Sequence, residues 1–576
     1  MMVAVWTVGL LALWSLAIRR TSAPAAAGFA VIGLLGVELV ILLVSPHLGV
    51  PLPWLEAAVW AAVVLVAIVT AARAGVTAPS RRALALTLAA ASGGLLVIAT
   101  AVLAQVLPGA LHIAWAMNSD SVNVIVFSRE ILEAGGIVPS GTGSPTPLPF
   151  GMVASAMAPG RNDVSDAGLA GHDVAALAGL WVFMLAVCCL LAGAIVARSA
   201  TRLRTPVAAI VTVIASLLGT TWFVLGVQFQ YGFVTTSFAL ALLLSVWLVY
   251  LDSPRHPVAS LAALIVAAAA LLAVWSPLVV VVAPLGVLIA VRSRREILRA
   301  GWRRMLAPIA AIALAVGYLA AVSIPQYLAA SAFLAADGGF PTIGPATIVS
   351  AVGLVGVLAA LSARFAGERR VLSGVLAMVI GFALGLGFLL AQRVGFETTW
   401  GYYPAKFGWT VSIVFLVIAL GAAASLLEHL AARRTEIIAS VFGTVLLAGL
   451  VWSPGEPQDP ISQLPLVEIV GGNAFGLTNE QADTVLSLSG RENGQDVLWR
   501  TPYDSWGNRW LLQLDVDEFH TNPVKAYAYL PSLSAGDVCA VIDLLGTDVT
   551  VHTDDPNAEA DLDAVCPGAA TVVMGR

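Results

Sequence analysis

The chain has 576 residues, of which 59% are hydrophobic and only 11% charged. A soluble globular domain carries roughly 25% charged residues, so a soluble fold is excluded. The net charge of −5 is uninformative as a sum, because the basic residues before position 455 gather in short loops and the acidic ones in the last stretch.

Apolar runs of about 17–25 residues, the length a helix needs to cross a bilayer, recur down to Trp452. The expected spans lie near 3–18, 25–44, 54–72, 83–106, 173–197, 206–226, 232–251, 257–275, 277–291, 305–323, 346–363, 371–391, 404–426 and 436–453. That is about fourteen, with the boundary at Trp275-Ser276-Pro277 the weakest of the cuts. Alternate loops are basic: Arg19/Arg20, Arg73/Arg81/Arg82, Arg198/Arg202/Arg204, Arg255, Arg292 through Arg304, Arg364/Arg369/Arg370 and Arg433/Arg434. Such loops stay cytoplasmic. The N-terminus lacks a basic stretch ahead of its first apolar run, so that run reads as a retained span rather than a cleaved signal, with Met1 outside.

On the opposite face this phase leaves a long loop, 107–172, two moderate loops at 324–345 and 392–403, and everything after about 454. The long loop carries an amphipathic segment from Asp120 to Ala134, ended by Gly135-Gly136, and a proline-rich turn, Ser144 to Pro149. Connections of this length are functional or disordered, and the amphipathic helix favours function. The tail from Pro454 is acidic and polar, with a helix expected over Ser534–Leu545 and a strand over Asp548–Thr553. Cys539 and Cys566 both fall in it, on the oxidising side, which predicts a disulfide. Cys188 and Cys189 are adjacent inside a span and read as helix-packing residues.

Asp120 leads the loop helix at the membrane lip, where an ionised carboxylate is costly without a partner or a reaction. It reads either as an N-cap or as a general base, and the two roles are compatible. Lys406 is the single lysine in the first 524 residues, set in Trp400-Gly-Tyr-Tyr-Pro-Ala-Lys-Phe-Gly-Trp409 at the outer start of a span. A compact ammonium at headgroup depth suits a phosphate, and it equally suits a snorkelling anchor among belt aromatics. Arg393 and Glu397, just upstream, either extend this polar cluster or pair with each other. Asp163, Asp166, His172 and Asp173 have the types for an oxygen-ligated cation, though helix capping and macrodipole effects account for them as well. A divalent cation is thus possible but unsupported, no metal ligands are assigned, and no cofactor is certain. Arg129 and Glu130 occupy adjacent positions on the loop helix and read as solvated, with Arg129 also able to reach a lipid phosphate. Trp499, Tyr503, Trp506 and Trp510 either stack on sugars or form the core of the tail domain, core being the better reading. Soluble-nucleotide motifs are absent, as is any fixed-period or inverted repeat.

The layout resembles the GT-C superfamily of integral membrane glycosyltransferases. The residues that carry the likeness are Asn118-Ser-Asp120-Ser, Phe127-Ser-Arg-Glu-Ile-Leu-Glu-Ala-Gly-Gly136, Pro145-Thr-Pro-Leu-Pro149, Tyr402-Tyr-Pro-Ala-Lys406 and a soluble C-terminal domain. It is most similar to the large actinobacterial arabinofuranosyl- and mannosyltransferases of cell-envelope assembly. The resemblance implies an all-α polytopic membrane protein with a small α/β exoplasmic C-terminal domain, in the cell membrane. It implies a three-helix extension over 1–81, the shared membrane module over 82–453 and the outer domain over 454–576. The acidic loop here follows the fourth span, not the first as in typical members, and a second loop carboxylate beside Asp120 is missing. The expected partners are a polyprenyl-phosphate-linked sugar donor, a glycan, glycolipid or protein acceptor of the envelope, and membrane lipids, with no nucleic acid. Asp120 would take the acceptor's proton in an inverting displacement. Lys406, Arg393 and Arg129 would bind the donor phosphate, and Tyr402, Tyr403, Glu397, His172 and Asp173 would contact substrate. A lipid-linked sugar flippase or transporter is the rival from another class, and a non-catalytic scaffold the third. Spans nearly free of charge, Glu56 being the exception noted, argue against a path across the membrane.

Overall fold

The computed structural model describes residues 1–75, 80–109, 111–138, 146–330, 334–336, 338, 343–427, 465–471, 476–489, 495–514, 523–546 and 548–575. The expected span at 436–453, Arg433 and Arg434, Pro145 and the start of the tail lie outside the described residues. Among those described, 11 helical runs are long and apolar enough to cross a membrane. The chain is thus an all-α polytopic membrane protein with a few short strands.

In chain order the helices are α1 (Met2–Ala17), α2 (Ala23–Leu48), α3 (Leu52–Ala74), α4 (Arg81–Val106), α5 (Ser121–Glu133), α6 (Pro147–Met157), α7 (Asp166–Ser199) and α8 (Thr205–Leu217). They continue as α9 (Val227–Tyr231), α10 (Val234–Asp252), α11 (Pro257–Trp275), α12 (Val279–Arg292), α13 (Arg294–Arg299), α14 (Trp302–Tyr318), α15 (Ile324–Ala330), α16 (Pro345–Leu361), α17 (Arg369–Ala391) and α18 (Tyr402–Leu427). Prolines open α2, α3, α8, α11 and α16, where the missing N–H is an orphan of the first turn in any case. Ser80 caps α4 by accepting from the Ala83 N–H. Helices α4, α7 and α8 pack closely through small residues, with Gly93 against Ser216 and Gly193 against Ala90.

The expected pair 257–275 and 277–291 forms one helical run, Pro257–Arg292. It breaks at Trp275, whose backbone is extended (φ −166°, ψ 101°), before the short turn Ser276–Leu278. Both ends of the run lie near the end of α10, since Arg292 donates to the Tyr250 hydroxyl at 3.4 Å. Trp275 instead lies beside Lys406. The run therefore doubles back at Trp275.

The loop after α4 is folded into the helices. Helix α6 is buried along nearly its whole length, Phe150 stacks on Phe127 of α5 at 5.4 Å, and the Ile137 N–H reaches the Leu42 carbonyl of α2 at 2.8 Å.

Beyond 465 three strands form a parallel sheet in the order β1 (Gln495–Leu498), β2 (Val549–Thr553), β3 (Thr571–Met574). The helix Ala535–Leu545 starts from a Ser534 capping box, and Cys539 and Cys566 form a disulfide with Cα atoms 5.9 Å apart. One side of this unit has its own core, including Trp499, Val538 and Val551. The other side, with Trp510 and Leu511, joins the core of the membrane helices.

Candidate functional site

Asp120 stands at the N-cap position of α5, yet its side chain makes no cap hydrogen bond. The carboxylate instead faces the start of α18. The Tyr402 hydroxyl donates to Asp120 Oδ2 at 3.3 Å, and Lys406 Nζ donates to the Tyr402 oxygen at 3.2 Å. Residues 402 and 406 stack on one helix face because four positions make about one turn. Pro404 sits between them in the first turn, where it breaks no helical bond. The ammonium lies 3.7 Å from the centroid of Phe233 and 5.9 Å from that of Trp275, so aromatic faces replace much of its hydration. Tyr403 packs edge-on against Tyr402 at 4.8 Å.

The turn bearing Asp120 is held in an unusual conformation. Ser119 has a left-handed backbone (φ 42°), a state that costs a non-glycine residue about 1–3 kcal/mol. The Asp120 N–H is anchored on the Tyr231 carbonyl at 3.3 Å. Gly232, at φ 66°, lies so close that a Cβ there would meet the Asn118 oxygen and the N–H groups of Asp120 and Ser121. Glycine is required at 232 on both counts.

The C-terminal unit closes this turn from above. Trp510 donates from Nε1 to the Met117 carbonyl at 2.8 Å, and Asn118 Nδ2 donates to Glu468 at 3.4 Å. His112 meets the Val470 carbonyl, and Asp483 accepts from the Leu111 N–H. Arg509, stacked 4.9 Å from the Tyr529 ring centroid, adds a positive charge acting on Asp120. Burial raises the Asp120 carboxyl above its ordinary value, against the opposing pull of Lys406, Arg509 and the Tyr402 hydroxyl. Burial likewise pushes Glu468 up to about 8.

The other expected site residues fall elsewhere. Asp173 is fully buried and clamped by two arginines: Arg129 Nε at 2.8 Å and Arg161 Nε at 3.1 Å. This corrects the capping reading of Asp173 and the solvated reading of Arg129, because a carboxylate inside the protein takes the nearest cations rather than water. His172 is held by the Met157 carbonyl at 2.8 Å. Arg393 is almost wholly buried and donates to the carbonyls of Ala335, Ala336 and Thr398. It also packs beside Gly401, so it fixes the approach to α18 rather than offering a free guanidinium. Glu397 is exposed on the same loop. Trp499 and Trp510 are buried core residues, while Tyr503 and Trp506 are half-buried. Cys188 and Cys189 are buried thiols. Among the described residues no group of three His, Cys, Asp or Glu side chains is placed to hold a metal ion.

Four participants went unseen in the sequence. Arg161 sits in a turn without motif, and Arg509 lies on an amphipathic helix, Asp504–Leu514, whose spacing does not reveal that it faces Asp120. Glu38 is the third: fully buried in α2, it accepts from Trp6 Nε1 at 2.6 Å and Trp60 Nε1 at 2.7 Å. Its neighbour Glu56 accepts from the Ser155 hydroxyl. The statement that the spans are nearly free of charge is therefore corrected: α2 and α3 bring two carboxyl groups together inside the apolar region. Glu468 is the fourth, and only its burial beside Asn118 sets it apart. Comparison with protein-family models and with curated protein sequences returns no match.

Proposed function

We propose that the chain is a membrane glycosyltransferase that moves a sugar from a polyprenyl-phosphate donor to a cell-envelope glycan, glycolipid or protein acceptor on the outer face. The supporting observation is the Asp120–Tyr402–Lys406 chain, which joins an acid and a base 286 positions apart at one lip of the helical bundle. Asp120 accepts the proton of the acceptor hydroxyl as that oxygen attacks the anomeric carbon. The polyprenyl phosphate departs, and Lys406 offsets its developing charge. A carboxyl raised by burial is a stronger base than a solvated one, which suits the task. The seven basic loops in phase support a location of this lip, and of the C-terminal unit above it, outside the cell membrane. The count of about fourteen spans, the three-helix extension over 1–81, the module over 82–453 and the outer domain over 454–576 belong to the same reading. Asp120→Asn tests it: transfer of labelled sugar from a synthetic polyprenyl-phosphate donor falls by about 10²–10⁴ while the protein remains folded. Transfer at the wild-type rate refutes the assignment.

The Glu38–Glu56 pair favours a second reading, movement of a lipid-linked sugar coupled to a proton. In that case Glu38→Gln abolishes uptake into proteoliposomes, and Asp120→Asn leaves it intact.

A further inference from the structure

On the arginine-rich face, opposite Asp120, α1, α2, α4 and α7 enclose a cleft of about 440 Å³. Its walls are apolar and are hollowed by small side chains, with Leu10, Trp14, Ala27, Leu86, Ala90 and Ala194 among them. Leu11, at its rim, is 59% exposed, so the cleft opens sideways toward the lipid. One end carries Arg82, Arg198 and Arg255. Arg82 is occupied by the carbonyls of Ala200 and Thr201 and by the Thr205 hydroxyl, and so ties α4 to the turn after α7. Arg198 buries an Nε–H with no hydrogen-bond partner among the described residues. Arg255 keeps 62% of its side chain exposed and reaches Asp252 at 3.5 Å. Asp252 is the carboxylate facing both Arg198 and Arg255. Three guanidiniums against one carboxylate leave an excess of positive charge at the mouth of an apolar slot.

We propose that this cleft binds an anionic phospholipid of the inner leaflet. One acyl chain lies between α1 and α4, and the headgroup phosphate is held by Arg198 and Arg255. An apolar slot alone would take any hydrocarbon. The cationic end selects for a phosphate, and its depth at the membrane surface selects for one carried on a lipid. The unsatisfied Nε–H of Arg198 supplies a donor that nothing among the described residues uses. The occupant also has a structural consequence. The cleft is the seam between the N-terminal helices α1 and α2 and the α4–α7 pair, so a bound lipid bridges the two. This site lies on the other side of the bundle from Asp120 and is independent of the transferase reading.

The test is a titration of the purified full chain in detergent, read by native mass spectrometry. The probes are phosphatidylglycerol, phosphatidylcholine, polyprenyl monophosphate and inorganic phosphate. Phosphatidylglycerol is expected to bind more tightly than phosphatidylcholine, by about fivefold for each of Arg198 and Arg255. Arg198→Gln with Arg255→Gln brings the two lipids level. Ala194→Phe, which fills the slot, weakens both. Should the double variant fail to fold, Arg255→Gln alone, at an exposed side chain, still lowers the preference by about fivefold. Equal binding of the two diacyl lipids to the unaltered protein overturns the proposal. So does a preference retained by the arginine variants, tighter binding of polyprenyl monophosphate, or displacement of the lipid by inorganic phosphate.

Discussion

Replacing Tyr402 by phenylalanine removes one oxygen and leaves the ring in its packing against Phe233 and Tyr403. That oxygen is the link between Asp120 and Lys406, so the change isolates the carboxylate from its hydroxyl donor. The bond is long for an O–H···O contact, at 3.3 Å, which sets its worth below the usual range of about 1.5–3 kcal/mol for a charged acceptor, at about 1 kcal/mol. In the proposed role Asp120 is a general base, which works only when ionised, and the lost donor had favoured the ionised form. The acid limb of the rate profile therefore moves to higher pH, by about 0.7 of a pH unit at 1.36 kcal/mol per unit. The assay is sugar transfer from a synthetic polyprenyl-phosphate donor, with kcat/KM followed from about pH 5 to 9 so that the free enzyme's limb is read. Tyr403→Phe, whose ring packs beside the link, leaves the limb in place. A limb that stays put in Tyr402→Phe, or moves to lower pH, refutes the coupling between the two helices.

Asp120→Asn is expected to lower transfer by about 10²–10⁴, with the melting temperature close to that of the unaltered protein, checked by thermal unfolding in detergent. Gly232→Ala forces a Cβ into the Asn118–Ser121 turn at φ 66°. Transfer falls by at least about tenfold while the far-ultraviolet circular dichroism spectrum stays the same, because the clash displaces Asp120 without touching the spans. Arg129→Met with Arg161→Met strands the fully buried Asp173 carboxylate and destabilises the fold by about 3–5 kcal/mol, measured by chemical unfolding. Asp173→Asn costs less, because both arginines keep 22% of their side chains exposed and can rehydrate. Glu468 has a folded pKa of about 8, above its ordinary 4.5, so its contribution to docking is fully present below about 4.5 and is lost as pH rises through 8. Hydrogen exchange in residues 465–471 should accelerate across that window, and Glu468→Gln should flatten the change.

The polytopic helical character was legible because it follows from composition and from the length of the apolar runs, which local sequence displays. The helix at 535–545, the strand at 549–553 and the Cys539–Cys566 bond were legible for similar reasons: a capping serine, an alternating run and a shared compartment. At the site, Asp120 and Lys406 could be selected because each is an anomaly in its own segment, while Tyr402 entered only through the resemblance of the Tyr402–Lys406 element. What could not be read was pairing. Arg161 lies 12 residues from Asp173 but Arg129 lies 44 away, and neither distance is encoded in a motif. Glu38 was passed over because one acid in a long apolar helix carries no label for the two tryptophans that solvate it. Arg393 misled for the opposite reason. Its position beside the Tyr402 element suggested a ligand contact, whereas its geometry makes it a staple for the backbone.

The placement of Asp120 bears on function beyond its neighbours. An aspartate at a helix start ordinarily turns back on the first free N–H groups, a local bond available at no cost in chain entropy. Here that bond is not made. The preceding Ser119 adopts a disfavoured backbone, and the carboxylate is offered to a tyrosine 282 positions away. The Trp510 and Glu468 contacts hold Met117 and Asn118 from the far end of the chain. Local stability would be served better by the cap and by a relaxed turn. Strain of this kind persists only where surrounding contacts impose it, and it concentrates at sites that bind or react. The arrangement makes sense if the carboxylate has work beyond the helix it begins, which is why the charged chain from Asp120 to Lys406, more than any other polar cluster among the described residues, is where substrate chemistry is to be sought.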